Sequence, residues 1–216
     1  MNSVNFFEQN SPVIENEDIL GKRRRQIVKA AAELFSQNGF HRTTMRDISK
    51  LSGINLSQLY NYITSKDEIL YLFYRFIFAH LYSVFESLDE NRHSDPVSKI
   101  KFLISSQLEV VGRLSNEFLT MYTESRHLNK DSLKAVLKLE STLVSKMEEI
   151  INEGIEQGFF ARCDAYLAAN IIQYLVMMEP MRGWNLRHRY SFSGFSDSMT
   201  ALIMNLLGAE KDFGSC

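Results

Sequence analysis

Six neutral hydrogen-bonding side chains, Asn55, Ser57, Gln58, Tyr60, Asn61 and Tyr62, fall within one short segment of this chain. Glutamine and asparagine amides can bond adenine edges bidentately in the DNA major groove, and serine and tyrosine hydroxyls suit phosphate oxygens. A helix face that meets only water carries lysine and glutamate more often. The segment therefore reads as a contact surface for duplex DNA. Arg46 joins it, as do the helix starts at Thr44 and Lys66, where backbone N–H groups favour phosphate. Asn55-Leu56-Ser57 also matches a glycosylation sequon, which is set aside at a helix start in a chain whose N-terminus is polar and acidic rather than a signal peptide.

The elements that must position these residues are legible around them. Thr44 caps one helix, with Asp47 three residues on to complete a box, and Met45, Ile48 and Leu51 give it an apolar face. Ser52-Gly53 ends it, because glycine takes the left-handed conformation that stops a helix. Asn55 caps a second helix with Gln58 three residues on, and Leu59 and Ile63 turn inward. Ser65-Lys66-Asp67-Glu68 opens a third helix with another capping box. Two helices around a glycine-containing turn are the layout of a helix-turn-helix, whose second helix, here 55–62, enters the major groove.

From about Arg25 to Leu72 these residues resemble the TetR family of bacterial transcriptional regulators. The resemblance is carried by QIVKAAAELFSQNGFHRTT, MRDISKLSGI, LYNYI and SKDEIL, in register over nearly fifty residues. Two positions depart from the family pattern: Ile63 stands where phenylalanine is usual, and Ser57 where a small residue is common. The resemblance implies an N-terminal DNA-binding domain and a helical C-terminal domain that dimerises and senses a small molecule. It also implies that Tyr60, Tyr62 and Lys66 contact phosphates, and Gln58 is the best candidate base reader.

Composition agrees. The chain has 216 residues, 45% of them apolar, with only three prolines and ten glycines, which suits long helices around a core. A net charge of −2 hides an asymmetry: residues 21–62 carry eight lysines and arginines, including the run Lys22-Arg23-Arg24-Arg25, against Glu33 and Asp47. A basic block over a DNA reader is the expected electrostatic footprint. Cys163 and Cys216 build no disulfide framework, and the apolar stretch 166–178 is too short and too polar to cross a bilayer. The expectation is a cytoplasmic protein with no membrane partner.

Along the chain, residues 1–20 read as a flexible acidic arm, 21–66 as the helix-turn-helix DNA-binding domain, 67–210 as the ligand-binding and dimerisation domain and 211–216 as a tail. Helices are expected over about 22–37, two short ones in the DNA-binding unit, 66–88, 96–113, 115–128, 131–158, one from Asp164 that Pro180 must bend, and 195–207. No stretch alternates with strand period. The fold class is all-α, with about nine helices.

Catalytic signatures are absent from the sequence: there is no CxxC pair, HExxH, phosphate loop or nucleophile elbow. Glu124 and His127 form one E-x-x-H, whereas a di-iron bundle needs two with two further glutamates. The acidic residues Glu140, Glu148, Glu149, Glu153 and Glu156 read as a solvated helix side. Neither cofactor, metal nor enzyme activity is expected, a helical-bundle metalloenzyme being the remote alternative. Instead, Phe118, Met121, Tyr122, Tyr174, Met177, Met178 and Trp184, with Arg126, supply a soft apolar and aromatic set with a polar group nearby, as ligand pockets do. The segments around Tyr122, EGIEQGFF and Trp184-Asn185-Leu186-Arg187 resemble the fatty-acid and acyl-CoA responsive members of the family. That implies a repressor that binds a palindromic operator as a homodimer and leaves it when a hydrophobic effector, such as a fatty acyl-CoA, binds. The alternative is a drug- or dye-responsive repressor of an efflux pump.

Overall fold

Helix-stop signals divide the chain as the sequence dictates, with a few instructive exceptions. A computed structural model describes residues 19–89 and 92–209, so both the acidic arm up to residue 18 and the tail from 211 lie outside the described residues. Ten α-helices follow in order: α1 (Ile19–Asn38), α2 (Met45–Ser52), α3 (Leu56–Tyr62), α4 (Lys66–Glu86), α5 (Pro96–Arg113), α6 (Ser115–Glu124), α7 (Lys130–Glu156), α8 (Ala165–Val176), α9 (Met178–Leu186) and α10 (Phe192–Leu206). There is no strand among the described residues. The fold is all-α, as the sequence implies.

The tenth helix arises where one bent helix is expected. Pro180 cannot donate to Val176 and its ring crowds that carbonyl, so α8 stops at Val176 and α9 restarts with Pro180 in its first turn. Other boundaries move because a different residue supplies the cap. Asn129, not Asp131, opens α7, its Oδ1 accepting from Ser132 N at 2.9 Å. Ser191 caps α10, which therefore starts three residues before 195. The helix from Ser115 ends at Glu124 and tightens into a 3₁₀ turn over Ser125–His127 instead of running on to 128. Asp95 caps α5 with Pro96 at its first position, as expected.

The chain divides into two compact units. One holds the described residues up to Ile77 together with Leu119–Val136, and the other holds Phe78–Phe118 with the described residues from Leu137 on. The division falls inside α4, between Ile77 and Phe78. In the first unit α1 packs against α2 and α3, burying Ile27, Ala31, Phe35, Ile48, Leu59, Ile63 and Phe73. Phe35 meets Phe40 and Phe73 edge-on, with ring centroids 5.3 and 6.2 Å apart. Leu51 departs from its expected inward face and is exposed, because α2 turns Ile48 and Ser52 to the core instead.

In the second unit α5 packs against α8, α9 and α10. Its buried face, Ile100, Leu103, Ile104, Leu108 and Val111, meets interiors that include Ala169, Ile172, Val176, Phe195, Met199 and Ile203. Lys99 on α5 donates to both Glu153 oxygens on α7, at 3.0 and 2.8 Å. Glu153 is thus paired, a correction to its reading as part of a purely solvated acidic side. One helix among the described residues, α4, is long and apolar enough to cross a membrane by length and composition, but 61% of its apolar window is buried inside the protein, as in a core helix.

At the end of α7 the ring of buried Phe160 lies against the backbone of Gly154, so closely that an added Cβ would sit 2.1 Å from a ring carbon. Gly154→Ala should displace the ring and cost about 1–3 kcal/mol of stability. Thermal melts of the variant and the parent test this; equal melting temperatures would mean that the ring has room to move.

Candidate functional site

The turn between α2 and α3 is built almost wholly from local hydrogen bonds. Thr44 and Asp47 form the reciprocal box: Asp47 N donates to Thr44 Oγ1 at 3.2 Å, and Thr44 N donates to Asp47 Oδ2 at 2.8 Å. The Thr44 side chain and then its backbone hold the Asp47 carboxyl below the usual carboxylate range. Gly53 ends α2 at φ +68°, with nothing near where a Cβ would stand. Its requirement is therefore conformational rather than steric. Ser49 Oγ donates to the Ile54 carbonyl at 2.7 Å and closes the turn. Asn55 then caps α3: its Oδ1 accepts from Gln58 N at 2.9 Å and from Ser57 Oγ at 2.8 Å.

This construction leaves a continuous polar surface. Arg46, Asn55, Ser57, Gln58, Tyr60 and Asn61 are exposed, while Leu59 between them is fully buried. Tyr62 is half-buried, at the edge of the same face. Thr44 is exposed, but its hydroxyl is taken up by Asp47, at 2.6 Å, so its opening towards a phosphate is through backbone at the helix start. Lys66, expected to contact phosphate, is held by the loop before α2. Its ammonium donates to the carbonyls of Phe40 (2.8 Å), Thr43 (3.0 Å) and His41 (3.4 Å) and lies 4.3 Å from the Phe40 ring centre. Glu68 likewise reaches past the expected box: Ser65 Oγ accepts from Glu68 N, while the Glu68 carboxylate takes both the N–H and the hydroxyl of Thr64.

Two positioning residues were hidden in the sequence. Arg24 Nε donates to the Tyr62 carbonyl at 3.0 Å, tying α1 to the end of α3, and Gln26 Nε2 donates to the Ser52 carbonyl at the end of α2. The basic run gave Arg24 away only as charge. Buried Thr43 donates to the Leu34 and Gly39 carbonyls.

The loop that Lys66 gathers meets the 3₁₀ turn after α6. His127 stacks on Phe40, with centroids 5.5 Å apart, and abuts His41 at 4.0 Å. Its Nε2 accepts from Arg126 Nε at 3.2 Å and lies 3.4 Å from Glu124 Oε2. The E-x-x-H pair is therefore part of this joint, and no group of three or more histidine, cysteine or acidic side chains among the described residues could hold a metal. Loss of solvent, followed by neighbouring His41, holds the His127 imidazole below its usual value against the pull of Glu124.

The residues expected to bind a ligand differ in burial. Phe118 is buried, Met121, Met177 and Met178 are half-buried, and Tyr122, Arg126, Tyr174 and Trp184 are exposed. Arg182 lies over the Trp184 ring at 5.4 Å. A groove of about 580 Å³ opens elsewhere in the second unit, bordered by Arg113, Glu179, Arg187, Tyr190, Phe192 and Phe195 among others, and none of the eight residues lines it. Within it, buried Glu179 accepts two hydrogen bonds from Arg187, at 2.9 and 2.7 Å, and one from Ser115 at 3.0 Å.

Comparison with known proteins gives the family. Residues 27–71 match the tetR family of bacterial regulatory proteins, and residues 93–185 match the tetracyclin repressor-like C-terminal domain. The HTH-type transcriptional repressor KstR2 of Mycobacterium tuberculosis is 25% identical over 146 residues, 65% of this chain and 70% of that protein. The fatty acid metabolism regulator protein of Bacillus subtilis is 22% identical over 182 residues, 83% of this chain and 93% of that protein. Among solved structures, AibR in complex with isovaleryl coenzyme A and operator DNA shares the fold, with a TM-score of 0.68 at 21% identity over 83% of this chain and 97% of that one.

Two outcomes follow from the geometry. Gly53→Ala forces a Cβ into the left-handed region and should destabilise the protein by about 1–2 kcal/mol, measured by urea unfolding; a loss below the error of that measurement would contradict the conformational account. Folded His127 binds its proton less readily than the unfolded side chain. Its contribution to stability is then complete above about pH 6.5 and is lost as pH falls through the depressed folded value. Melting temperature should decline between about pH 7.5 and 5, and His127→Gln should flatten that decline.

Proposed function

The chain belongs to the tetR family of bacterial regulatory proteins, and we propose that it represses transcription as a homodimer on a palindromic operator, from which a fatty acyl-CoA releases it. It is a transcriptional regulator and not an enzyme. The observation that carries the DNA reading is the exposed, uncharged, hydrogen-bonding face of α3, held rigidly by Asn55 at one end and Arg24 at the other. Gln58 reads a base edge. Arg46, Ser57, Tyr60, Asn61 and Tyr62 contact the backbone or flanking bases, and Asn55, its carbonyl oxygen already used, offers its NH₂ group. Lys66 acts mainly by fixing the loop 39–43, while the helix starts at Thr44 and Lys66 present N–H groups to phosphate. DNA binding of this kind belongs in the cytoplasm.

The dimer reading rests on apolar surface in the second unit. Tyr166, Leu167, Ile171 and Tyr174 on α8, and Leu202 and Leu206 on α10, are exposed. Both helices lie in the domain that the sequence assigns to ligand binding and dimerisation, and exposed apolar surface of this kind marks an interface. A two-fold dimer would match half-sites separated by whole helical turns. The effector class is supported by two proteins similar to this one, a fatty acid metabolism regulator and a protein crystallised with isovaleryl coenzyme A. Release requires that the effector bind one conformation better than the other.

An operator recovered by selection from random duplexes permits the tests. Gln58→Ala should cost about 1–3 kcal/mol of binding and relax one position of the site; equal losses on matched and scrambled duplexes would remove Gln58 from base reading. Light scattering should give a dimer, and Leu167→Glu with Leu202→Glu a monomer; a monomeric parent at micromolar concentration sinks the dimer. Release of the operator by cationic dyes but by no acyl-CoA would replace the effector class.

A further inference from the structure

Five polar or charged side chains are buried among the described residues: Thr43, Ser52, Gln107, Thr120 and Glu179. Four are hydrogen-bonded. Thr43 donates to two carbonyls, Ser52 to the Ser49 carbonyl, Thr120 to Ser36 Oγ, and Glu179 is held by Arg187 and Ser115. Gln107 is the exception, for it is fully buried and neither its Nε2 nor its Oε1 has a partner. It stands at the centre of the buried face of α5, one turn from Leu103 and Ile104 on one side and from Val111 on the other. Leaving a buried amide unmatched is among the costlier defects a core can carry. A leucine would fill this position at no such cost.

We propose that Gln107 is a specificity-determining residue that hydrogen-bonds the polar group of the effector inside the second unit. This inference rests on the effector reading given above. The surroundings define the chemistry. An amide side chain offers donors and an acceptor but no charge, and the residues about it on α5 are apolar. A carboxylate or ammonium there would be desolvated without a counter-ion, since the one buried charged side chain, Glu179, is already matched. The group recognised is therefore neutral, carries a carbonyl acceptor and a nearby donor, and is attached to a hydrocarbon body. An acyl thioester on a pantetheine arm has this pattern: its carbonyl accepts from Nε2, and the first amide N–H of the arm can donate to Oε1. Gln173 on α8, which packs against α5, adds a second donor without a partner in its Nε2.

The test removes one ligand atom and one side chain in turn. Octanoyl-CoA and its thioether analogue S-octyl-CoA differ at the carbonyl, and calorimetric titration gives both affinities. The full-length protein should bind the thioester about tenfold more tightly, the equivalent of about 1.4 kcal/mol for one hydrogen bond. Gln107→Leu should bind the two compounds within about twofold of each other, and its ligand-free form should melt no lower than the parent. Gln107→Met serves the same purpose if the leucine variant folds poorly. Retention of the thioester preference in the variant, or no preference in the parent, overturns the role of Gln107 while leaving acyl-CoA as effector. A lower melting temperature in the ligand-free variant also overturns it, by showing the amide to be matched by water. Binding of neither compound to the parent overturns the acyl-CoA reading itself, and the proposal with it.

Discussion

A helix of seven residues cannot hold itself together in water, because nucleation takes up most of what its few hydrogen bonds return. α3 is such a helix, and it carries the polar face proposed above to read DNA. Its shape is therefore imposed from outside. Asn55 satisfies the Gln58 N–H at its start, Arg24 from α1 takes the carbonyl at its end, and Leu59 is buried completely beneath it. Gln26 does for α2 what Arg24 does for α3. With both ends and one face fixed, the remaining face is presented with little freedom, as the narrow geometry of an amide against a base edge demands.

The same logic of collecting loose backbone groups explains Lys66. The loop from Phe40 to Thr43 turns three carbonyls towards a single point, and one ammonium has three donors to meet them. The cost is a lysine withdrawn from solvent; the gain is a loop whose outer side can seat His127. Within that same compact unit, residues of α6 are tied to α1 by the bond from Thr120 to Ser36 and to α4 by the bond from the Tyr74 hydroxyl to the Met121 carbonyl. Burial pushes the Tyr74 hydroxyl well up, beyond any titration near neutrality. Movement of residues 119–127 would be felt directly by the loop that precedes α2.

Polar groups in the second unit follow a stricter rule. The buried Glu179 there is matched by Arg187 and Ser115, and the half-buried Glu153 by Lys99, as the penalty for an unmatched charge leads one to expect. Against that background the unmatched amide of Gln107 is conspicuous. The exposed aromatic and aliphatic residues of α8 and α10 are the complementary case: apolar area left outside by a core that is already filled by Ala169, Ile172, Val176 and Ile203.

What the sequence determined by itself was everything local. Capping boxes, the left-handed glycine at position 53 and the proline at position 96 act within a few residues, so α2, α3 and the start of α5 stand where the spacing placed them, and helical periodicity identified Ile48, Leu59 and Ile63 as core. The neutral face of α3 was legible for the same reason. Tertiary structure decided what depends on distant partners. Arg24 looked like one charge in a basic run until its carbonyl partner 38 residues away was visible, and the three carbonyls that Lys66 holds lie 23 to 26 residues before it, beyond the reach of any local pattern. The methionine and aromatic set 118–184 shares a composition but not a degree of burial, since side chains of one character can serve core, surface or interface depending on which helix covers them. Pro180 split a helix rather than bending it, because the clash at the Val176 carbonyl was relieved by a restart that periodicity alone does not reveal.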